Sequence, residues 1–379
     1  MRIAFYAPLK PPDSDRPSGD RTMARLLMRA LRAAGHEIDL ASRMRSRDGA
    51  GDPRRQARLA ALGARLAARY VAAVRAGRRP APNAWFTYHL YYKAPDWIGP
   101  AVADALGIPY AVAEVSVAAK RAGGPWDIGH RGTLAALARA DLVVGLNSRD
   151  AVKVEPALGP GARYERLRPF LEPGVPAPHD VARAQVGGEL GLPADEPWLL
   201  AVGMMRPGAK AASYAVLGDA LGRLPERRWR LVVAGDGPAR PEIEATLAPF
   251  GDRVRWAGAV DPDRLATLYA AADLLVWPAI QEAYGMALLE AQAAGLPVLA
   301  GAAGGVPDIV RDGTTGMLAP EGDAAAFAAA LRVLLDDPGR RRAMAEAARR
   351  TVLAEHTLDG AAAALDGWLR AAVERRRAA

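Results

Sequence analysis

The chain has 379 residues, a formal net charge of +8 and no cysteine. That length accommodates two domains of ordinary size, each with its own core. The missing cysteine excludes disulfides and thiolate metal sites. No apolar run of about 18 residues occurs, so no transmembrane helix is expected. Residues 1–8 are too short to read as a signal peptide, and a cytoplasmic location is expected. The positive charge is mostly arginine, because lysine occurs only at positions 10, 93, 120, 153 and 210. An Ala/Arg-rich composition can reflect genome base bias. With no motif of known binding geometry, nucleic acid is not an expected partner.

Strands and helices alternate along the chain, the pattern of parallel sheets covered by helices on both faces. Residues 2–6 (Arg-Ile-Ala-Phe-Tyr) form the first strand. A helix over 20–34 stops at Gly35, and 36–40 is the next strand. Residues 54–79 read as a basic, alanine-rich helix with Leu59, Leu62, Leu66, Tyr70 and Val74 on one stripe. It reads as an ordinary surface helix or as one lying on anionic membrane, for which salt-sensitive liposome binding is the signature. Further strands are expected at 84–89, 109–115, 141–146 and 164–167. Four prolines and glycines within residues 170–178 mark a linker. The alternation then restarts with strands at 198–202, 229–234, 253–256, 273–277 and 297–300. Helices between 323 and 375 close the chain. The expected organisation is α/β: a Rossmann-like domain over 1–172, a linker over 173–179 and a second Rossmann-like domain over 180–356. A C-terminal helix over 357–379 is expected to pack back on the first. Two such halves imply a cleft between facing sheets, where ligands bind.

The segment from Glu282 to Pro297 carries the most chemistry. Glu282 falls in a loop after a buried strand, just before a helix, and Glu290 lies about a turn and a half inside that helix. Between them the free N–H groups and the dipole of the helix start suit an anion. A nucleotide sugar, with a diphosphate between two hydroxylated ends, has the matching shape. Upstream, residues 201–210 present Arg206 and Lys210 after a strand that ends at Gly203. Two cations there can clamp a diphosphate, and a solvated basic loop explains them equally. Gly235-Asp-Gly237-Pro238 permits close backbone approach or makes an ordinary turn. Gly304-Gly305 lies beside the Glu282 loop in sequence, and Gly313 and Gly316 read as turn glycines.

In this order, these segments resemble the C-terminal half of the family-4 retaining glycosyltransferases, which have the GT-B fold. The likeness covers residues 198–350 closely. It includes Arg253-Val-Arg-Trp-Ala-Gly258 and Gly304-Gly-Val-Pro-Asp308-Ile-Val310, where aspartate replaces the usual glutamate. The resemblance implies that Arg206 and Lys210 hold the donor diphosphate. It places Glu282 at the hydroxyls of the transferred sugar and Glu290 at the ribose. Tyr284, Gly285, Met286 and Ala287 would offer backbone N–H groups, and Val260 would mark the nucleobase position. The N-terminal half resembles the family more loosely. Ser18-Gly19 stands for its Gly-Gly loop and serves the donor phosphate, the acceptor or merely a helix cap. The histidine that many relatives carry after the Gly-Ile-Pro strand falls at Val115. Glu114 is expected to take over its hydrogen bond, with Ser116 as the alternative. Residues 85–97 hold six of the chain's 23 aromatics. Tyr88, His89 and Tyr91 are expected at an acceptor site, because rings with polar tips suit stacking on a sugar. Lys93 and the pair Lys120-Arg121 are expected near acceptor phosphate.

The implied reaction moves a hexose-type sugar from a nucleoside diphosphate to an acceptor hydroxyl with retention. The acceptor would be a sugar or a lipid-linked glycan, as in cell-envelope polysaccharide synthesis. Arg206, Lys210 and Glu282 would act without a metal, and the nucleotide sugar would serve as co-substrate rather than a resident cofactor. An epimerase or phosphorylase of the same fold, and a silent nucleotide-sugar binding protein, remain the alternatives.

Overall fold

The computed structural model describes residues 1–14 and 18–378. It divides into two compact units. The first comprises Met1–Arg168 and Leu358–Ala379, and the second Pro169–Thr357. Among the described residues, no helix is long and apolar enough to cross a membrane.

The first unit contains β1 (Arg2–Tyr6), β2 (Glu37–Ser42), β3 (Ala84–Tyr91), β4 (Tyr110–Ser116), β5 (Leu142–Gly145) and β6 (Arg163–Arg166). They form one parallel sheet in the order β2-β1-β3-β4-β5-β6. β1, β4 and β5 are nearly continuous apolar runs because helices cover both faces of the sheet. The core holds a buried carboxylate. Asp96 accepts from Thr87 Oγ1 (2.6 Å), Tyr110 OH (3.1 Å) and the N–H groups of Ile98 and Gly99 (2.8 Å each). The Leu358–Ala378 helix joins this unit by burying Leu365, Leu369, Ala372 and Val373, and Asp366 sits 3.1 Å from His36 Nε2. The basic helix runs Pro53–Arg75, capped by Asp52, and its one large apolar residue in the open is Leu62.

The second unit contains β7 (Trp198–Val202), β8 (Arg230–Ala234), β9 (Val254–Gly258), β10 (Leu274–Trp277), β11 (Val298–Gly301) and β12 (Gly316–Ala319). Its parallel order is β12-β11-β10-β7-β8-β9. The strand order therefore reverses between β7 and β10, and in such sheets ligands sit at that switch point, beyond the strands' C-terminal ends. β12 departs from the sequence reading, which took Gly316 as a turn. Gly316 instead opens a strand, packed so tightly that a Cβ would overlap the Val298 carbonyl oxygen.

Candidate active site

In the second unit, β7 delivers Lys210 and β10 delivers Glu282 to the switch point. The Lys210 ammonium pairs with Glu282 Oε2, which also lies 3.3 Å from Trp277 Nε1. Lys210 Nζ stands 5.2 Å from the centre of the Trp277 ring. Tyr214 packs edge-on against that indole at 5.2 Å and donates to the Gly203 carbonyl at 3.1 Å. Two residues of the loop before Glu282 hold left-handed backbone without being glycine, Ala279 (φ 57°) and Gln281 (φ 48°). That strain persists only where neighbours impose it. Ser213 Oγ accepts from the Ile280 N–H (3.0 Å) and Glu321 Oε1 from the Gln281 N–H (2.8 Å).

Backbone-on-backbone packing fixes the rest of this edge. A Cβ on Gly304 would overlap the Glu282 carbonyl oxygen, one on Gly235 that of Gly203, and one on Gly237 that of Met205. Met205 N–H also donates to the Asp236 carbonyl at 3.0 Å. Gly285 (φ 80°) starts the Met286–Ala293 helix. Among the described residues the N–H groups of Gly285, Met286 and Ala287 have no backbone partner, as at any helix start. Tyr284 is half-buried at the end of the same loop. Arg206 is exposed and stands apart from the Lys210–Glu282 pair, with no side-chain bond among the described residues.

A cavity of about 420 Å³ opens against the Met286–Ala293 helix that follows this loop. Val260, Pro262, Leu265 and Ala266 form one wall, and residues 171–176 another. Its polar end is Glu290, whose Oε2 accepts from Tyr269 OH at 3.0 Å. Burial pushes the Glu290 carboxyl above its ordinary range, and the Tyr269 bond only partly offsets this.

In the first unit, the strand order turns between β1 and β3. β3 continues past His89, where the sequence reading ended it, to Tyr91. The β3–β4 ladder pairs Tyr88 with Ala113 and Leu90 with Val115, and skips His89 and Glu114 between them. Both skipped residues are left-handed, at φ 59° and 57°. His89 Nδ1 lies 3.7 Å from Glu114 Oε1 and 3.4 Å from Asp20 Oδ1. Lys10 pairs with Asp20 and donates to Ser18 Oγ at 2.9 Å. Ser18 is thus engaged by a lysine and makes no side-chain cap. Gly19 begins the helix with open space where a Cβ would be, so packing does not demand glycine there.

Burial works to lower the His89 pKa, but the Glu114 and Asp20 carboxylates outweigh it and raise it. Burial likewise works to raise Asp20, and His89 and Lys10 hold it well below the usual carboxylate range. A base raised in the folded state stabilises the fold fully below its ordinary value, here 6.5, and that contribution is lost as pH rises through the raised value. The thermal midpoint is therefore expected to fall as pH climbs above 6.5, and His89→Asn to flatten that fall. Superposable pH curves for the two proteins would contradict the coupling.

Tyr88 corrects the sequence reading. It is 3% exposed and lies in the core, because β3 extends beyond it and pairs it with Ala113. Trp97 also goes inward, packed on Gly63 and Gly132. His89, Tyr91 and Tyr92 remain at the edge, with ring centres 5.1 Å apart from His89 to Tyr91 and 5.4 Å from Tyr91 to Tyr92.

Residues 196–337 match the family model described as "Glycosyl transferases group 1". A D-inositol 3-phosphate glycosyltransferase from Acidothermus cellulolyticus is 33% identical over 336 residues, 83% of this chain and 73% of that protein. The chain belongs to the group 1 glycosyl transferases. The Streptomyces coelicolor protein of the same name is 41% identical over 224 residues, 56% of this chain. The matched region spans about half of that relative's length, 49%. Among solved structures, sucrose-phosphate synthase from Thermosynechococcus elongatus superposes with a TM-score of 0.73 at 24% identity, covering 98% of each chain. Anabaena HepE, solved in complex with UDP, superposes at 0.74 and 17% identity, over 98% of this chain and all of that one. The fold is GT-B.

The segment that matches the group 1 glycosyl transferase model contains Arg206, Lys210, Glu282 and Glu290. Several residues at the site of this glycosyl transferase escaped the sequence reading. Trp277 read only as a buried strand residue, Tyr269 as part of a helix, and residues 171–176 as a linker. Asp20 and Lys10 stood on either side of the Ser18-Gly19 loop without a stated role. Tyr269 meets Glu290 21 residues on and Asp20 meets His89 on another element, pairings that no local pattern could have identified.

Proposed function

We propose that this protein is a retaining glycosyltransferase that moves a sugar from a nucleoside diphosphate to an acceptor hydroxyl, without a resident metal. The observation that carries the reading is the Lys210–Glu282 pair at the β7/β10 switch point, in the same unit as a cavity ending at Glu290. The nucleoside fits the cavity, with its base against Val260 and Pro262 and its ribose hydroxyls at Glu290. Lys210, Arg206 and the N–H groups of Gly285 to Ala287 meet the diphosphate, and Glu282 holds the sugar hydroxyls. Charge grows on the leaving diphosphate as the glycosidic bond breaks, so fixed positive groups there lower the barrier. They supply the role a divalent cation would otherwise fill.

The donor is read as a UDP-sugar. HepE, which shares the fold, was solved with UDP-glucose. The acceptor is read as a polyol or sugar, in keeping with relatives named for D-inositol 3-phosphate. Glu114, backed by His89 and Asp20, accepts from the acceptor hydroxyl. The test is a thermal-shift series with UDP-, GDP- and ADP-sugars, followed by product detection with a polyol panel. A matching donor at a hundredfold excess over Kd adds about 2.7 kcal/mol of stability. No shift with any nucleotide sugar would sink the proposal, and an isomerised donor formed without acceptor would replace it with epimerisation.

A further inference from the structure

The loop that carries Glu282 is held from several sides. Its carbonyl groups rest on main chain. A Cβ on Gly301 would overlap the Pro278 carbonyl oxygen, and the Ala283 carbonyl accepts from the Gly305 N–H at 3.1 Å. Its N–H groups are held differently. That of Glu282 turns back to the Ala279 carbonyl at 3.1 Å, whereas those of Ile280 and Gln281 reach side chains from distant parts of the sequence. Ser213 takes the first. It is fully buried on the same helix as Lys210, and its hydroxyl donates to the Ala209 carbonyl at 2.9 Å.

Glu321 takes the second. β12 ends at Ala319, and the chain then reverses in a tight turn. The Asp323 N–H donates to the Pro320 carbonyl at 3.1 Å, and Gly322 supplies the left-handed position at φ 81°. Asp323 goes on to cap the Ala324–Asp336 helix, accepting from the Ala326 N–H at 2.9 Å. The turn is therefore fixed at both ends, and Glu321 projects from its middle. β12 stands two strands from β10 in the sheet, so this side chain reaches across the end of β11 to the Glu282 loop. Glu321 is exposed, yet among the described residues it makes no ion pair, and its carboxylate is spent on the Gln281 N–H. Gln281 directly precedes Glu282 and holds left-handed backbone without being glycine. Such a conformation relaxes unless a partner imposes it, and relaxation there would turn Glu282 away from Lys210 and Trp277.

We infer that Glu321 is a positioning residue: by holding the Gln281 N–H, it keeps the Glu282 carboxylate on Lys210 and aimed at the donor. An ionised acceptor makes a stronger bond to an N–H than a neutral one, which suits a hold on strained backbone. The effect on turnover rests on the glycosyltransferase reading, whereas the placement of Glu282 does not.

Two readouts separate these. The Trp277 indole N–H resonance, assigned by Trp277→Phe, reports the Glu282 carboxylate 3.3 Å away without any substrate. Glu321→Ala is expected to shift it. Glu321→Gln, whose amide oxygen still accepts from the Gln281 N–H, is expected to leave it near the wild-type position. In turnover of the matching nucleotide sugar, Glu321→Ala is expected to lower kcat about tenfold or more while the donor KM and the thermal midpoint hold, and Glu321→Gln to recover most of the rate. A residue that merely braced the fold would lower the midpoint and would not divide kcat from KM. An indole signal indifferent to Glu321→Ala, wild-type turnover in that variant, or an equal loss in Glu321→Gln overturns the inference. If the wild type transfers no sugar from any donor, the glycosyltransferase reading falls, and the indole signal alone decides whether Glu321 places Glu282.

Discussion

Lys210→Ala is expected to lower kcat about a thousandfold, roughly 4 kcal/mol of lost transition-state stabilisation. Lys210 is the cation that the fold brings to the switch point, and Arg206 stands apart in solvent. Its charge matters most as the leaving diphosphate gains charge, so the loss should fall on kcat more than on the donor KM. Lys210→Arg keeps the charge but not the compact ammonium that fits between Glu282 and the Trp277 ring, and recovers only part of the rate. Single-turnover kinetics with saturating UDP-sugar measure this directly. A Lys210→Ala enzyme within threefold of the wild type would remove Lys210 from the mechanism.

Glu282→Gln is expected to cost about a hundredfold in kcat/KM, near 3 kcal/mol, from charged hydrogen bonds to the sugar hydroxyls. The substitution preserves shape, so the strained loop through Ala279 and Gln281 keeps its anchors on Ser213 and Glu321. It also releases Lys210 from its ion pair, and a released lysine binds the diphosphate more tightly. Donor affinity should therefore hold or improve while turnover falls. The double variant with Lys210→Ala should be less impaired than the two single effects added, because each residue orders the other. Strict additivity would show that the pair is incidental.

The second unit was the more legible half. β7 and β10 are apolar runs that end where the chain needs loops, and Glu282 stands before a helix, so the order of the donor-side segments was plain. What partners them was not. Tyr269 reaches Glu290 across 21 residues, and Trp277 turns its N–H toward Glu282 although its strand is buried. In the first unit, Glu114 attracted notice because it neighbours the Val115 position. Its pairing with His89 depends on the β3–β4 register, which neither strand's own pattern contains. The aromatic segment misled in the opposite direction. Its density suggested an edge, but Tyr88 is buried and the half-buried Trp97 packs against Gly63 and Gly132.

The glycines of the second unit bear on how such a protein could change its donor. Gly203 with Gly235 and Gly237 with Met205 lock the loops after β7 and β8 together through main chain alone, and Gly304 with Glu282 does the same for the loops after β10 and β11. No side chain can be added at these joints without moving a whole neighbouring loop. Divergence by single substitutions is therefore confined to the cavity wall, at Val260, Leu265 and Ala266, where a larger or smaller side chain alters room for a base without disturbing the joints. A new placement of the diphosphate would need each locked pair of loops exchanged together, and recombination supplies such a change more readily than a sequence of point mutations.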